Sequence, residues 1–429
     1  MKSKFQNNIN ELLQEQIISK EVAQNIENYY NNKPNTSTSK LFTVFSVLGS
    51  TLIGLGIILI LAHNWDHFVK GIKTTLAFLP LVIAQFFVGF SILKKKSKTW
   101  KEASGVFLFF TVGSSMALVA QIYNIPGDLS SYLLTWIALC LPLIYLLNSH
   151  VLAIVSLVFT TYYACAYGYF YNTSHGTPWL YIVLLAVIIP YYIMLIKQKT
   201  SANIVSVLNW FFPLSLTIVL ASFVQSNESL GYVMYVCLFG CFYNLGKLPH
   251  FNNIQLRRNG YLVLGSLGTV FMLLLSSFEW IWKDVLKDNI LVNGQETYVL
   301  LVLFITSFGL LFFNYLKKGV RSLNLYQFIF IIFSGIFFTG FYGLNFPVVF
   351  INVLILLLGI MAVKIGADKY HFGVLNYGLF IIVILIVCRF FDTNMSFVIR
   401  GLLFVSVGVG FFLTNYIMLN KKKLKEVKR

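Results

Sequence analysis

The chain reads as an all-α protein, a polytopic transmembrane helix bundle of about 14 spans with both termini cytoplasmic. Three observations predict this. Hydrophobic runs of helix length fill the chain from Leu41 to Leu419. Hydrophobic residues make up 58% of it and charged residues 11%, with a mean hydropathy of +0.76. Basic residues sit almost entirely on alternate connections between the runs. A soluble chain of 429 residues cannot bury that much apolar surface, so lipid must be the solvent for most of it.

A span takes about 20 apolar residues. Runs that meet or approach this length are 41–62, 72–93, 103–122, 131–147, 150–170, 179–196, 203–224, 230–246, 260–278, 297–316, 322–343, 346–363, 373–390 and 396–418. They are too long for barrel strands and lack strand alternation, so helices are expected. With the N-terminus inside, the inner segments are 1–40, 94–102, 148–149, 197–202, 247–259, 317–321, 364–372 and 419–429. These hold 26 of the 32 Lys and Arg residues. The outer set is Lys70, Lys73, Lys283, Lys287, Arg389 and Arg400. Moving the register by one helix midway would destroy this asymmetry, which the positive-inside rule demands. The net charge of +17 is therefore mostly topogenic. No basic segment has a fold of its own to serve as a nucleic-acid surface, so no nucleic-acid partner is expected. The tail KKKLKEVKR after Asn420 reads as a stop-transfer flank near anionic headgroups of the inner leaflet.

Four regions follow: a cytoplasmic helical hairpin at 1–32, a linker at 33–40, a transmembrane helical domain at 41–419 and a basic cytoplasmic tail at 420–429. In the hairpin, FQNNINELLQEQ places Ile9, Leu12 and Leu13 on one face. Ser19 then caps KEVAQNIENYY, with Val22 and Ile26 on its face. An element this small makes little core of its own, so it is expected to dock on the membrane domain or on a protein partner. Pro34 opposes helix in the polar linker. The first 40 residues are polar and no cleavable leader is expected; the first span can itself target the chain. Cys140, Cys165, Cys237, Cys241 and Cys388 all fall within spans, which argues against a disulfide framework. Cys237 and Cys241 share a helix face at i and i+4, but no His or carboxylate lies near, so packing is their expected role.

The segment GLGIILILAHNWD (54–66) is a glycine-rich span ending in Asn-Trp. AQIYNIPGD (120–128) follows the third span, and Trp136 with LPLIYLL (141–147) marks the fourth. With the preceding hairpin, these residues resemble the bacterial multipass membrane proteins called domain of unknown function 2157. The resemblance covers roughly residues 10–150. RGLLFVSVGVGFFLTN (400–415) is similar to the last span of related membrane proteins. What the resemblance implies is many spans in the bacterial cytoplasmic (inner) membrane, and no particular activity.

Polar groups at span ends are the candidate chemistry. On the expected outer side they are Asn64, Asp66 and His67 after the first span, and Gln121, Tyr123 and Asp128 after the third. Glu279, Trp280, Trp282 and Asp284 follow the ninth span, and Arg389, Asp392 and Arg400 bracket the last turn. If these ends meet, they form an outer polar vestibule in which Asp66 or Asp128 pairs with Arg389 or Arg400. The competing reading makes the tryptophans an aromatic belt and lets the charges snorkel into water. Two arginines on one outer turn run against the positive-inside bias, which paired charges would explain. His63 and His67 are four apart, yet no metal site is expected there, and no cofactor anywhere.

Pro80, Pro142, Pro190, Pro213 and Pro347 fall in or at spans, where each removes a backbone hydrogen bond and can kink its helix. Stripes of small residues (Ser46, Ser50 and Gly54; Gly335, Thr339 and Gly343; Ser406, Gly410 and Thr414) suit close helix packing, within the chain or against a second copy in a homo-oligomer. VLGS at 47–50 and 263–266 hints at a parallel repeat. The chain has no phosphate loop, no zinc-protease helix, no nucleophile elbow and no long soluble stretch. Three readings remain. The first is a transporter or flippase-like permease for a small or lipidic substrate. The second is a non-transporting scaffold or regulator that works through its hairpin. The third is an integral membrane enzyme on a lipid-linked substrate, with Asp66 or Asp128 as general base.

Overall fold

A computed structural model describes residues 9, 11–32, 65–169, 176–198, 202–285, 294–320, 323–341 and 347–392, with scattered positions between 398 and 416. Every regular element among them is helical. Ten helices among the described residues are long and apolar enough to cross a membrane, and two shorter apolar helices lie between them. The expected span 41–62 lies outside the described residues, as does most of 396–418.

The chain divides into two compact units, 1–76 and 77–429. In the first, residues 11–14 are helical and the turn closes at Gln16 with φ 54. The N–H of Ile17 reaches back to the carbonyl of Leu12, which satisfies an orphan acceptor at the helix end. Helix α1, Lys20–Asn32, starts where expected, with the Val22 N–H donating to Ser19 Oγ at 3.3 Å. A single 3-10 turn, Trp65–His67, precedes α2, Lys70–Leu93, which continues into the second unit.

The second unit holds the bundle. Helix α3 is Lys98–Tyr123, α4 Leu129–Cys140, α5 Pro142–Leu147, α6 His150–Gly168, α7 Trp179–Gln198, α8 Ala202–Leu220 and α9 Glu228–Gly246. Then come α10, Gly260–Leu275; α11, Glu279–Val285; α12, Gln295–Lys318; α13, Ile329–Phe341; α14, Pro347–Asp368; and α15, Phe372–Asp392. The expected 131–147 run is one span, Leu129–Leu147, in which the helix is interrupted at Leu141. Pro142 has no N–H to continue the ladder, and α5 restarts with it at the first position. Helix α13 is shorter than the 322–343 run, because Leu325–Gln327 forms a 3-10 turn closed by a capping box between Asn324 and Gln327.

The reversals are tight and chemically alike. Lys95, Asn124, Asn148 and Tyr370 each adopt positive φ, between 47 and 52, within two residues of a helix end. The next residue's N–H then bonds back into the last turn, as Ser149 does to the Ile144 carbonyl at 3.1 Å. Ser149 immediately caps α6 by accepting from the Leu152 N–H, so two residues suffice at the expected 148–149 turn.

Among the described residues, close approach is made at glycines outside the expected stripes. A Cβ on Gly246 would lie 2.6 Å from the Leu262 backbone nitrogen, and one on Gly265 lies 2.5 Å from that of Tyr243, so α9 and α10 touch backbone to backbone. Helices α14 and α15 do the same through Gly366, whose added Cβ would sit 2.3 Å from the Leu375 nitrogen. Gly335 and Gly410, from the expected stripes, face open space, and Gly343 lies outside the described residues. Helix α9 is the most enclosed, packed against α8, α10, α12 and α13. In each cross-helix pair below, both partners come from the same expected side. Arg258 Nη2 donates to Asn203 Oδ1 at 3.1 Å on the inner side. The Gln225 N–H donates to Glu296 Oε1 at 2.8 Å on the outer side.

Candidate functional site

A groove of about 930 Å³ lies between α2, α3 and the α4–α5 pair. Its walls are mainly apolar, from Phe78 and Leu108 to Leu143, with Gln85, Ser115 and Thr135 among them. The local fold explains the walls. Ser115 Oγ donates to the Ala77 carbonyl at 2.7 Å, holding α3 against α2. The Tyr132 hydroxyl donates to the Gly113 carbonyl at 2.9 Å, holding α4 against α3. Trp136, singled out by the resemblance, is a core residue: its indole N–H donates to the Phe109 carbonyl at 2.7 Å, and its ring packs on Phe159 with centroids 4.6 Å apart. Only glycine fits opposite it, since a Cβ on Gly113 would meet the indole at 2.3 Å.

Asp128 sits at the mouth of this groove as the N-cap of α4. It accepts from the Ser130 hydroxyl and from the Ser131 N–H at 2.9 Å. The Ser130 bond first, then the Ser131 N–H, holds its carboxyl well below the usual carboxylate range. Asp128 is thus a fixed negative charge at the end of an apolar groove. A general base works best with a pKa near the operating pH, and the shift here runs the other way, which counts against the enzyme reading at this residue.

The other expected vestibule residues are placed as follows. Gln121 and Tyr123 are exposed on the last turn of α3. Arg389, on α15, donates through Nη2 to Ser277 Oγ at 3.2 Å and lies 5.1 Å over the Phe278 ring, so it anchors α15 to the α10–α11 connection. The partners of Asp128 among the described residues are Ser130 and Ser131. Asp392 ends α15. Asp66 and His67 are exposed in the 3-10 turn of the first unit. Asn64 and Arg400 lie outside the described residues. Trp280 is exposed, as a belt residue would be, but Trp282 is buried and donates to the Ser276 carbonyl at 2.7 Å. Among the described residues no group of three His, Cys, Asp or Glu side chains is placed to hold a metal.

Sequence reasoning passed over three polar centres. Glu102, at the start of α3, accepts from the N–H groups of His150 and Val151 and from Ser149 Oγ, pinning the start of α6; Lys98 and Tyr191 complete that cluster through the two ring nitrogens of His150. Glu296 is fully buried, and its Oε1 gathers the N–H groups of Gln225, Ser226 and Asn227. Third, Asn244 is buried among Asn314 and Gln327, and one turn on, Lys247 meets Lys318. With only 15 acidic residues in the chain, any carboxylate at a span edge was the available signal for the first two.

These features define a multi-pass helical membrane protein. Within that class, residues 10–153 match the family model described as Predicted membrane protein (DUF2157), the extent the sequence motifs had indicated. No curated protein and no solved structure matches the chain. The whole groove lining, Phe78 to Leu143, lies inside the matched segment.

Proposed function

We propose that the chain is a flippase-like permease for a lipidic or small amphiphilic substrate, resident in a bacterial cytoplasmic membrane with both termini inside. The observation that carries this is the groove: about 930 Å³ of mostly apolar wall with one fixed carboxylate, Asp128, at its mouth. Apolar walls suit an acyl or other hydrocarbon chain, and the carboxylate with Gln85, Ser131 and Thr135 suits an amine- or hydroxyl-bearing head. The helix flanking the groove is broken at Leu141–Pro142, a device that lets one segment move against the next. Gln121 and Tyr123, on the same connection as Asp128, extend the polar rim in this reading.

The test is transbilayer movement of fluorescent phosphatidylethanolamine in proteoliposomes. Asp128→Asn keeps a good helix cap and removes the charge. A fall of about tenfold in rate at unchanged stability is expected, equivalent to about 1.4 kcal/mol. Unchanged movement, or none above protein-free vesicles with the wild type, overturns the reading. A regulator reading draws on Leu12, Ile17 and Val22, which are exposed apolar residues of the N-terminal helical segment. Deleting residues 1–32 would leave transport intact under the permease reading and abolish signalling under this one.

A further inference from the structure

A second cavity, of about 410 Å³, opens at the end of the bundle that the charge pattern assigns to the cytoplasm. It lies wholly outside the family-matched segment, so nothing about the groove bears on it. Helix ends build it: the last turn of α9, the first two turns of α10, the last turn of α14 and the first of α15. The glycine contacts that bring α9 onto α10 and α14 onto α15 draw these ends together.

Its charge is one-sided. Lys247 and Lys369 line it, His371 stands at its rim, and no carboxylate is among its lining residues. Lys318 Nζ donates to the Lys247 carbonyl and so brings a third ammonium group beside them. Among the described residues no carboxylate pairs with any of the three lysines. Lys247 finds only the face of Tyr243, its Nζ 5.5 Å from the ring centroid. Burial first, then Lys369 and Lys318, pushes the Lys247 ammonium down to about 8. Clustered cations without counter-charge are expensive in a half-buried site, and an anion between them removes that cost.

The remaining walls are of two kinds. One offers hydroxyls: Tyr377 and Ser266 share a 3.0 Å hydrogen bond, and Tyr243 stacks on Tyr326 with centroids 5.2 Å apart. The other is aliphatic, including Ile254, Leu262 and Ile365. An inorganic ion alone would leave that aliphatic wall unused.

We propose that this cavity binds a phosphoryl group carrying an apolar substituent, held by Lys247 and Lys369 with the tyrosine and serine hydroxyls beside them. Two sources share that chemistry, the headgroup of an anionic phospholipid and a free phosphorylated solute. Native mass spectrometry of the delipidated full chain in detergent separates them, with phosphatidylglycerol, phosphatidylcholine and inorganic phosphate as probes. Phosphatidylglycerol is expected to bind about tenfold more tightly than phosphatidylcholine, and the preference to vanish in the Lys247→Gln/Lys369→Gln double variant. Lys364→Gln, on the same helix but off the cavity, is expected to keep it. Displacement of the lipid by millimolar phosphate assigns the site to free phosphorylated solutes. Resistance to phosphate assigns it to the lipid headgroup.

The wild type gives a second measurement, independent of how the variants fold. Acetylation of Lys247 by an N-hydroxysuccinimide ester should slow about fivefold or more with phosphatidylglycerol bound, while Lys364 keeps its rate. No preference for the phosphorylated anion, an equal loss in Lys364→Gln, or unprotected Lys247 each overturns the proposal.

Discussion

The two ends of helix α9 handle charge in opposite ways. At its N-terminal end the carboxylate of Glu296 is taken up by three backbone N–H groups, those of Gln225, Ser226 and Asn227. At its C-terminal end Lys247, Lys318 and Lys369 lie close together, and the partners described for the first two, the Tyr243 ring and the Lys247 carbonyl, are neutral. Both arrangements follow the helix dipole, which favours anions at the amino end and cations at the carboxyl end. The N-terminal end is closed by the chain's own donors. At the C-terminal end no carboxylate among the described residues pairs with the three lysines, which is how the proposed ligand site differs from a structural cap.

The largest effect should come from opening the closed end. Glu296→Ala leaves buried N–H groups without their acceptor and should cost about 3–5 kcal/mol, read as a marked fall in thermal unfolding temperature in detergent. Lys247→Met is the matching change at the other end. It removes an unanswered charge and should leave the unfolding temperature equal or higher; a loss as large as that of Glu296→Ala would break the comparison.

Next in size is Gly265→Val, which drives a side chain into the Tyr243 backbone and should destabilise by about 1–3 kcal/mol. It should also lower phosphatidylglycerol binding, because it separates the helices that frame the lysines; a stability loss with full binding would detach the cavity from this packing.

The pH dependence sharpens the comparison further. The Lys247 ammonium is held down at about 8, against an ordinary value of 10.5. Between those values the unfolded chain binds the proton and the folded chain has lost it, so this residue makes stability rise as pH climbs from about 8 toward 10.5. Below about 8 its penalty is fully present. Acetylation of Lys247 should accordingly reach half its maximal rate near pH 8, and a midpoint at the ordinary lysine value would refute the burial argument. Smallest of all, Asp128→Asn should shift stability by no more than about 0.5 kcal/mol, since Asn caps a helix as Asp does.

Much of this was legible in the chain itself. The run 150–170 became His150–Gly168 and 179–196 became Trp179–Gln198, because length and hydropathy are properties of one segment at a time. The ends of two runs placed the turn at 148–149, whereas the positive φ of Asn148 and the capping by Ser149 are seen in the structure. Asp128 was legible as a polar span end, but its role as a cap beside a groove was not, since that depends on α2 and α3 lying against α4. Arg389 was legible as a charge at a span end, but its contacts with Ser277 and Phe278 were not. A charge at a span end is visible in the sequence, whereas its partner is chosen by which helix packs beside it.

Hydropathy therefore determined, from sequence alone, that the chain is helical, that it belongs in lipid, and roughly where the spans among the described residues begin and end. Tertiary structure decided which polar groups meet. Glu102 finds His150 from 48 positions away and Glu296 finds Gln225 from 71. The lysines of three separate connections gather because glycines let helix backbones come within contact distance. Alternation along a chain sorts residues by side of the membrane; it carries no information about neighbours within that side, and only packing supplies it.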